Sequence, residues 1–197
     1  MPDSKLNLKI IIASTRPGRL GLPIGQWAYE HSKDHPAFQI ELIDLAEVNL
    51  PLLDEPNPPA QKQYTKEHTK RWSQIVASAD AFVFVNPEYS HGFPASLKNA
   101  LDYLHEEWMH KPVGFVSYGW SASGTRSQQL LKPVLNYYNM MPLSEAVNIA
   151  LAKYLDDQGQ FKADEDLQRY LKTMLDKLAL FAKHFRNLRQ EIAAQSK

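Results

Sequence analysis

The segment LNLKIIIASTRPGRLG, residues 6–21, decides the fold. Residues 6–13 are largely apolar, which is typical of a buried strand, and a loop with hydroxyl groups, arginines and glycines follows directly. A helical pattern then begins at residues 23–32, with a proline whose missing N–H suits the first turn of a helix. A buried strand that leads through such a loop into a helix is typical of the first unit of an open α/β sheet.

The same alternation of strand and helix continues along the chain. The hydrophobic pattern predicts further strands at residues 38–45, 81–85, 113–116 and within 141–149, and helices at residues 66–78, 94–107, 125–138 and 164–194. Pro133 predicts a kink in the helix at residues 125–138. This alternation predicts an α/β fold, a flavodoxin-like doubly wound five-stranded parallel sheet with helices on both faces, since a TIM barrel needs ~250 residues. We therefore expect one domain over residues 1–197.

The composition excludes several classes of function. Lys plus Arg number 22 and Asp plus Glu number 22, so the chain has no net charge to attract nucleic acid or an anionic membrane. The absence of cysteine excludes thiolate metal sites and cysteine catalysis, so redox chemistry would need a cofactor. His105 and His110 are five residues apart and do not share a helical face, so no metal site is predicted.

Two further features bear on location. Residues 1–5 lack the pattern of a signal peptide. No apolar stretch approaches the ~20 residues that span a bilayer. We therefore expect a cytoplasmic protein with no membrane partner.

The loop at residues 14–21 is suited to an anion. A helix N-terminus offers free N–H groups and a partial positive charge. Ser14 and Thr15 can add hydroxyl donors, and the guanidinium of Arg16 or Arg19 can donate to two phosphate oxygens at once. No acidic residue lies in the loop. The loop matches neither the Walker A pattern nor G-x-G-x-x-G. An ordinary turn with two solvated arginines is the alternative, but a position after the first strand favours a phosphate site.

Two more loops are predicted at the same edge of the sheet. NPEYSHGFP, residues 86–94, follows the third strand, and SYGWSASGT, residues 117–125, follows the fourth. The carboxyl ends of parallel strands meet at one edge, so the three loops would converge on a phosphate-bearing planar ligand. The alternative is that Tyr89, Tyr118 and Trp120 simply pack the rim of the sheet.

These loops resemble a known family. STRPGR at residues 14–19, NPEY at residues 86–89 and LKNALD at residues 97–102 are similar to the NADPH-dependent FMN reductase family, and LPLLD at residues 50–54 resembles its loop after the second strand. The resemblance implies a flavoprotein oxidoreductase with FMN as cofactor, NADPH or NADH as electron donor, and a small flavin, quinone or similar acceptor. It also implies a homodimer or homotetramer, with residues 86–102 contributing to the interface.

The resemblance further implies which residues bind FMN. Ser14, Arg16 and Arg19 would hold the phosphate, Pro87 to Tyr89 would line the isoalloxazine ring, and Ser117 to Gly124 would lie along its other edge. The cofactor-binding residues so implied are Ser14, Arg16, Arg19, Leu20, Gly21, Pro87, Glu88, Tyr89, Ser90, Ser117, Tyr118, Gly119, Ser123 and Gly124. Ser90 stands where many relatives have Asn, and Ser123–Gly124 where a Gly-Gly pair is common.

A bound flavin carries the chemistry, so no catalytic acid, base or nucleophile is predicted. One open flavin face shared by nicotinamide and acceptor implies ping-pong kinetics. Backbone N–H groups of residues 119–125 are placed to stabilise negative charge on the reduced ring. Arg126 pairs either with a cofactor phosphate or with an acidic neighbour. The sequence names neither the acceptor nor the preferred nicotinamide.

Two other functions stay open. Residues 119–123, GWSAS, nearly match the G-x-S-x-G elbow of serine hydrolases, with Ser121 as nucleophile. The only later histidine is His184, inside an amphipathic helix, which disfavours this interpretation. A flavodoxin-type electron carrier is the second alternative, but carriers tend to be acidic and this chain is neutral.

Two segments allow more than one structural interpretation. Residues 46–63 contain four prolines, and a loop of this length favours a lid or a partner contact over a linker. The apolar stripe at residues 167–192 fits a coiled-coil seam or a helix docked on the sheet, and docking is favoured.

Overall fold

Five strands form one parallel sheet. The computed structural model describes residues 5–195, so residues 1–4, on which most of the signal-peptide expectation depends, lie outside it. The strands are β1 (Leu6–Ile12), β2 (Phe38–Asp44), β3 (Ala81–Pro87), β4 (Pro112–Gly119) and β5 (Met141–Ala150). They pair in parallel in the order β2-β1-β3-β4-β5, which is the flavodoxin-like order. The predicted fold class is confirmed.

The helices follow the sequence pattern with one correction. In residues 5–195 they are α1 (Gly21–Glu30), α2 (Leu45–Val48), α3 (Glu67–Ala77), α4 (Ala95–Asp102), α5 (Thr125–Tyr137), α6 (Leu151–Tyr154) and α7 (Glu165–Gln195), with 3-10 turns at Pro59–Gln61 and Glu106–Trp108. The helix predicted at residues 94–107 is wrong in length, because His105 leaves helical geometry at φ −131° and ψ −73°. That break lets Trp108 enter the core and donate its ring N–H to Leu101 O at 3.2 Å.

The sheet has an apolar core on each face. Alternate residues of a strand point to opposite faces, so Ile10 and Ile12 of β1 lie in one core and Ile11 lies in the other. Helices α1 and α7 cover the first face, and α3, α4 and α5 cover the second. This arrangement leaves the carboxyl edge of the strands to the connecting loops.

The terminal helix docks on the sheet as predicted. Leu171, Met174 and Leu178 are all at most 1% exposed. Gly114 of β4 makes room for this contact, since a Cβ there would lie 2.7 Å from Met174 Sδ. Ile192, near the end of the stripe, is 38% exposed, so docking uses the first part of the helix.

The proline-rich segment at residues 46–63 is fixed to the body of the protein. The Asn99 side chain accepts a hydrogen bond from Leu53 N at 3.0 Å and donates one to Pro51 O at 2.7 Å. Asp54 accepts from Tyr103 Oη at 3.0 Å. These contacts do not fit a linker, and Leu52 remains 83% exposed on the outer side. A role in partner contact stays a prediction.

Candidate cofactor-binding site

Three loops meet at the carboxyl edge of the sheet. Backbone hydrogen bonds connect their starting points: Ala13 N donates to Val85 O at 3.0 Å, and Glu88 N donates to Tyr118 O at 3.0 Å. The loops after β1, β3 and β4 are therefore neighbours. This is the convergence that the sequence predicted.

The loop after β1 is a tight turn beside an uncapped helix. Arg19 N donates to Arg16 O at 3.2 Å, and Gly18 has φ +68° at the third position of this turn. A positive φ there, with Pro17 before it, is what a type II turn requires. Helix α1 begins at Gly21, and its N-cap residue, Leu20, provides no side-chain cap. The first-turn N–H groups are thus available to an anion.

Arg19 has an acidic partner that the sequence analysis missed. Its guanidinium forms an ion pair with Asp44 at the end of β2, and the two side chains are 15% and 7% exposed. The Nε atom of Arg19 is buried without a hydrogen-bond partner in the described chain. A buried donor of this kind calls for an acceptor, and a phosphate oxygen would supply it. Arg16, in contrast, is exposed.

Ser14 is buried at the base of the same loop. Tyr118 Oη, from the end of β4, donates to Ser14 Oγ at 3.1 Å. The start of α1 closes over this pair, because a Cβ on Gly21 would overlap Ser14 Oγ and lie 2.7 Å from Tyr118 Oη. The resemblance implied that Tyr118 lies along the flavin ring, but its hydroxyl points to Ser14 in the loop after β1.

The loop after β3 reverses the chain within four residues. Tyr89 and Gly92 exchange backbone hydrogen bonds of 2.9 and 2.8 Å. Ser90 and His91 between them have φ of 50° and 66°. Two successive positive φ values define a type I′ turn, which usually contains Asn or Gly. Tyr89 is 39% exposed, so this turn presents an aromatic side chain at the edge of the site.

Glu88 connects this loop to helix α5. Its carboxylate forms an ion pair with Arg126 at 2.8 Å and accepts from Arg126 N at 3.3 Å. Of the two partners that the sequence left open for Arg126, the structure shows the acidic neighbour.

Thr125 N donates to Ala122 O at 2.9 Å. The amide of Thr125, predicted to stabilise the flavin, therefore has a partner within the protein.

Glycine is required where the loop after β4 enters α5. Gly124 has φ +81°, and a Cβ there would lie 2.5 Å from Tyr118 N and 2.7 Å from Ser117 Cβ. A similar Cβ on Gly119 would lie 3.1 Å from Gly124 N. Ser123 also has a positive φ, of 53°. The loop thus folds back onto the end of β4.

A buried polar network lies beneath the loops and was not predicted. Gln128 Nε2 donates to Ser117 Oγ at 3.0 Å and to Asn148 Oδ1 at 2.7 Å. Asn86 donates to Ser127 Oγ at 2.6 Å. The only advance signal was the polar character of the strand ends. The network attaches α5 to β3, β4 and β5.

Nothing in the arrangement supports a hydrolase. Ser121 Oγ accepts from Arg126 at 3.4 Å. His184 lines a cleft with Lys5 and Leu6, at the opposite edge of the sheet.

The described residues contain no group of three or more His, Asp or Glu able to hold a metal ion. None of the helices between residues 5 and 195 has the length and apolarity that crossing a membrane requires.

The fold and these loops define a class of protein: a flavodoxin-like α/β protein whose carboxyl-edge loops suit a phosphate-bearing planar ligand. The model of the NADPH-dependent FMN reductase family matches residues 6–153, so the chain belongs to that family. The description of this family agrees with the predicted oxidoreductase class and with FMN and NADPH as the predicted cofactors.

Individual relatives agree with this assignment. The chain is 42% identical over 129 residues to the NAD(P)H-dependent FMN reductase ntnL of a Nectria species, covering 62% of this chain and 64% of that protein. It is 44% identical over 133 residues to the NAD(P)H-dependent FMN reductase C4B3.06c of Schizosaccharomyces pombe, covering 66% of each. The matches thus span just under two thirds of these relatives.

A solved structure supports the fold. FerB of Paracoccus denitrificans, a flavoenzyme NAD(P)H:(acceptor) oxidoreductase, superposes with a TM-score of 0.71 at 18% identity, over 91% of this chain and 98% of FerB. At this identity the likeness concerns the fold alone. The roles of individual site residues stay predictions.

Proposed function

We propose that this protein holds FMN across the three carboxyl-edge loops and transfers electrons from NADPH or NADH to a small flavin or quinone acceptor. The buried Nε of Arg19, which lacks a partner in residues 5–195 and adjoins the uncapped start of α1, carries the proposal. Both named relatives are NAD(P)H-dependent FMN reductases, which supports the same activity here.

Three kinds of donor would hold the phosphate. Arg19, fixed by Asp44, offers Nε, and the exposed Arg16 offers its whole guanidinium. Ser14 offers its hydroxyl. The first-turn amides of α1 add the favourable end of the helix dipole. A terminal phosphate satisfies all three, whereas riboflavin satisfies none.

The ring end of the site is bounded by the other two loops. Bound FMN supplies the chemistry of accepting a hydride and returning two electrons. The Glu88–Arg126 ion pair keeps the loops after β3 and β4 together. Amides of the loop after β4 can donate to the ring edge, where reduction places negative charge. Tyr89 and Trp120, 39% and 68% exposed, border the side left open to solvent.

One open face would serve both substrates in turn. NAD(P)H would deliver a hydride and leave as NAD(P)⁺ before a quinone takes the two electrons and the proton of that hydride, together with a second proton from solvent, and leaves as hydroquinone. Initial rates at several fixed acceptor concentrations should therefore give parallel double-reciprocal lines. Intersecting lines would contradict this order and require that both substrates bind together.

The first experiment is to identify the bound cofactor. Purified protein should show the absorption of an oxidised flavin, and apoprotein should bind FMN at least tenfold more tightly than riboflavin, because a charge-assisted contact is worth ~1.5–3 kcal/mol. Equal affinities would remove the phosphate loop as the anchor. Turnover of NAD(P)H with a quinone as sole acceptor would distinguish the enzyme from an electron carrier, which needs a protein partner.

Assembly and location complete the proposal. We propose a homodimer or homotetramer, and the fixed loop that exposes Leu52 next to Asn99 of α4 supports an interface there. Light scattering on the purified protein tests this directly, and a monomer at micromolar concentration would contradict it. The cytoplasmic location stays a prediction, which cell fractionation would test.

A further inference from the structure

Two buried hydroxyl groups connect β4 to the phosphate loop. Tyr118 is 4% exposed and Ser14 is fully buried. Tyr118 Oη donates to Ser14 Oγ at 3.1 Å although the two residues are 104 positions apart. The missing side chain of Gly21 lets the first turn of α1 close directly over both groups. The pair therefore lies where the loop, the strand and the helix N-terminus meet.

The direction of this hydrogen bond determines what Ser14 can do. A hydroxyl group has one proton to donate and two lone pairs to accept with. Burial raises the pKa of the Tyr118 hydroxyl, so it stays protonated and can donate to Ser14 Oγ. While Ser14 Oγ accepts from Tyr118, its own proton is free for another acceptor. An anion only accepts, so tyrosine, serine and anion form a chain with every proton pointing the same way.

We propose that Tyr118 is a positioning residue for the cofactor phosphate, which orients the Ser14 hydroxyl so that Ser14 donates to a phosphate oxygen. This inference rests on the proposed function, since it requires a phosphate at the loop after β1. It assigns the Tyr118 side chain to the phosphate end of the site. Tyr118 acts through Ser14 and does not itself touch the anion.

The test is a double-mutant cycle on apoprotein, with FMN and riboflavin as the two ligands. Tyr118→Phe keeps the ring and removes the hydroxyl, and should weaken FMN binding about threefold to tenfold while leaving riboflavin binding unchanged. Ser14→Ala should weaken FMN binding at least as much. The double variant should be no weaker than Ser14→Ala within about twofold, because Tyr118 then has no serine to orient. The ³¹P chemical shift of bound FMN should move in Tyr118→Phe.

Tyr138 provides the matched control. It is also 4% exposed, and its hydroxyl donates to Leu101 O at 3.2 Å in the core on the other face of the sheet. Tyr138→Phe therefore removes a similar hydrogen bond far from the loop, and should change neither ligand's affinity. If Tyr118→Phe does not fold, Tyr118→His keeps a shorter ring donor and enters the same cycle with Ser14→Ala.

Each outcome decides a separate point. Additive losses in the double variant would overturn the proposal, because they would mean that Tyr118 contacts the phosphate on its own. FMN affinity unchanged in Tyr118→Phe would also overturn it and leave Tyr118 as a packing residue. Equal binding of FMN and riboflavin by the wild-type protein would instead remove the loop after β1 as the phosphate anchor, before any variant is compared, and an absence of bound flavin would refute the proposed function.

Discussion

Replacement of Arg19 by alanine should reveal two roles in one side chain. Arg19 is 15% exposed and its partner Asp44 is 7% exposed, so their ion pair is largely removed from water. In Arg19→Ala the carboxylate keeps Ala46 N, at 2.9 Å, as its hydrogen-bond donor among the described residues. Breaking a buried pair by removing one partner costs ~3–5 kcal/mol, and the remaining exposure of Arg19 reduces this to about 2–3 kcal/mol.

The assay compares unfolding and binding in two arginine variants. For a chain of this size, that loss of stability corresponds to a fall in apoprotein Tm of about 5–10 °C. Arg16→Ala is the control, since an exposed side chain should cost the apoprotein under ~0.5 kcal/mol. Both variants should weaken FMN binding within about tenfold to a hundredfold, and Arg19→Ala more than Arg16→Ala, because each loses a charge-assisted contact but only Arg19 is held in place before binding. Calorimetry gives Tm, and titration of apoprotein gives Kd.

Two results would refute this reasoning. An unchanged Tm in Arg19→Ala would mean that the pair with Asp44 contributes nothing to the fold. Unchanged FMN affinity would mean that the buried Nε does not face the phosphate. If the reasoning holds, adding Asp44→Asn to Arg19→Ala should recover part of the lost Tm, because it removes the unpaired charge.

Three further substitutions test other parts of the structure. Ser90→Asn should raise Tm by about 1–3 °C in calorimetry, because Asn adopts the positive φ of a type I′ turn more readily, and a lower Tm would contradict the turn assignment. Burial alone would raise the pKa of Glu55, but hydrogen bonds from the amides of Thr65 and Lys66 lower it to about 2. Wild type should be more stable than Glu55→Gln by about 1 kcal/mol above pH ~5, and this difference should disappear as the pH falls through about 2, because the carboxylate is then protonated. If thermal melts show a stability difference that does not depend on pH, the Glu55 carboxylate does not cap these two amides. Ser121→Ala should leave quinone reduction within about tenfold of wild type, and an esterase activity lost in this variant would revive the hydrolase.

The sequence predicted the starts of the first three strands well. Strands were predicted at residues 6–13, 38–45 and 81–85, and they are observed at Leu6–Ile12, Phe38–Asp44 and Ala81–Pro87, because β-branched and aromatic side chains bounded by turn residues favour strands. Strand β4 was cut short at residue 116, yet it extends to Gly119. Its last residues are polar but buried, since Gln128 from α5 satisfies Ser117. Such compensation depends on a helix whose position local patterns do not give.

The location of the candidate site was also predicted in outline, because it follows from features that local sequence shows. Loop composition and the strand order bring the three loops to one edge, and no further information is needed for that. The partners of individual side chains are different, because each comes from a distant segment. Asp44 lies at the end of β2, 25 positions after Arg19, and Tyr118 lies 104 positions after Ser14. Sequence composition could show that the loop was cationic, but not that it was partly neutralised.

These distant partners bear on how tightly the proposed phosphate site would bind. A free arginine or serine must lose side-chain freedom when a ligand arrives, at ~0.5–1.5 kcal/mol for each flexible group. Here Arg19 is already held by Asp44, and Ser14 by Tyr118. The ordering occurs during folding, so more of the contact energy remains available for binding. Arg16 is exposed and has no comparable partner among residues 5–195, and we therefore expect its contribution to affinity to be smaller than that of Arg19 for the same charge.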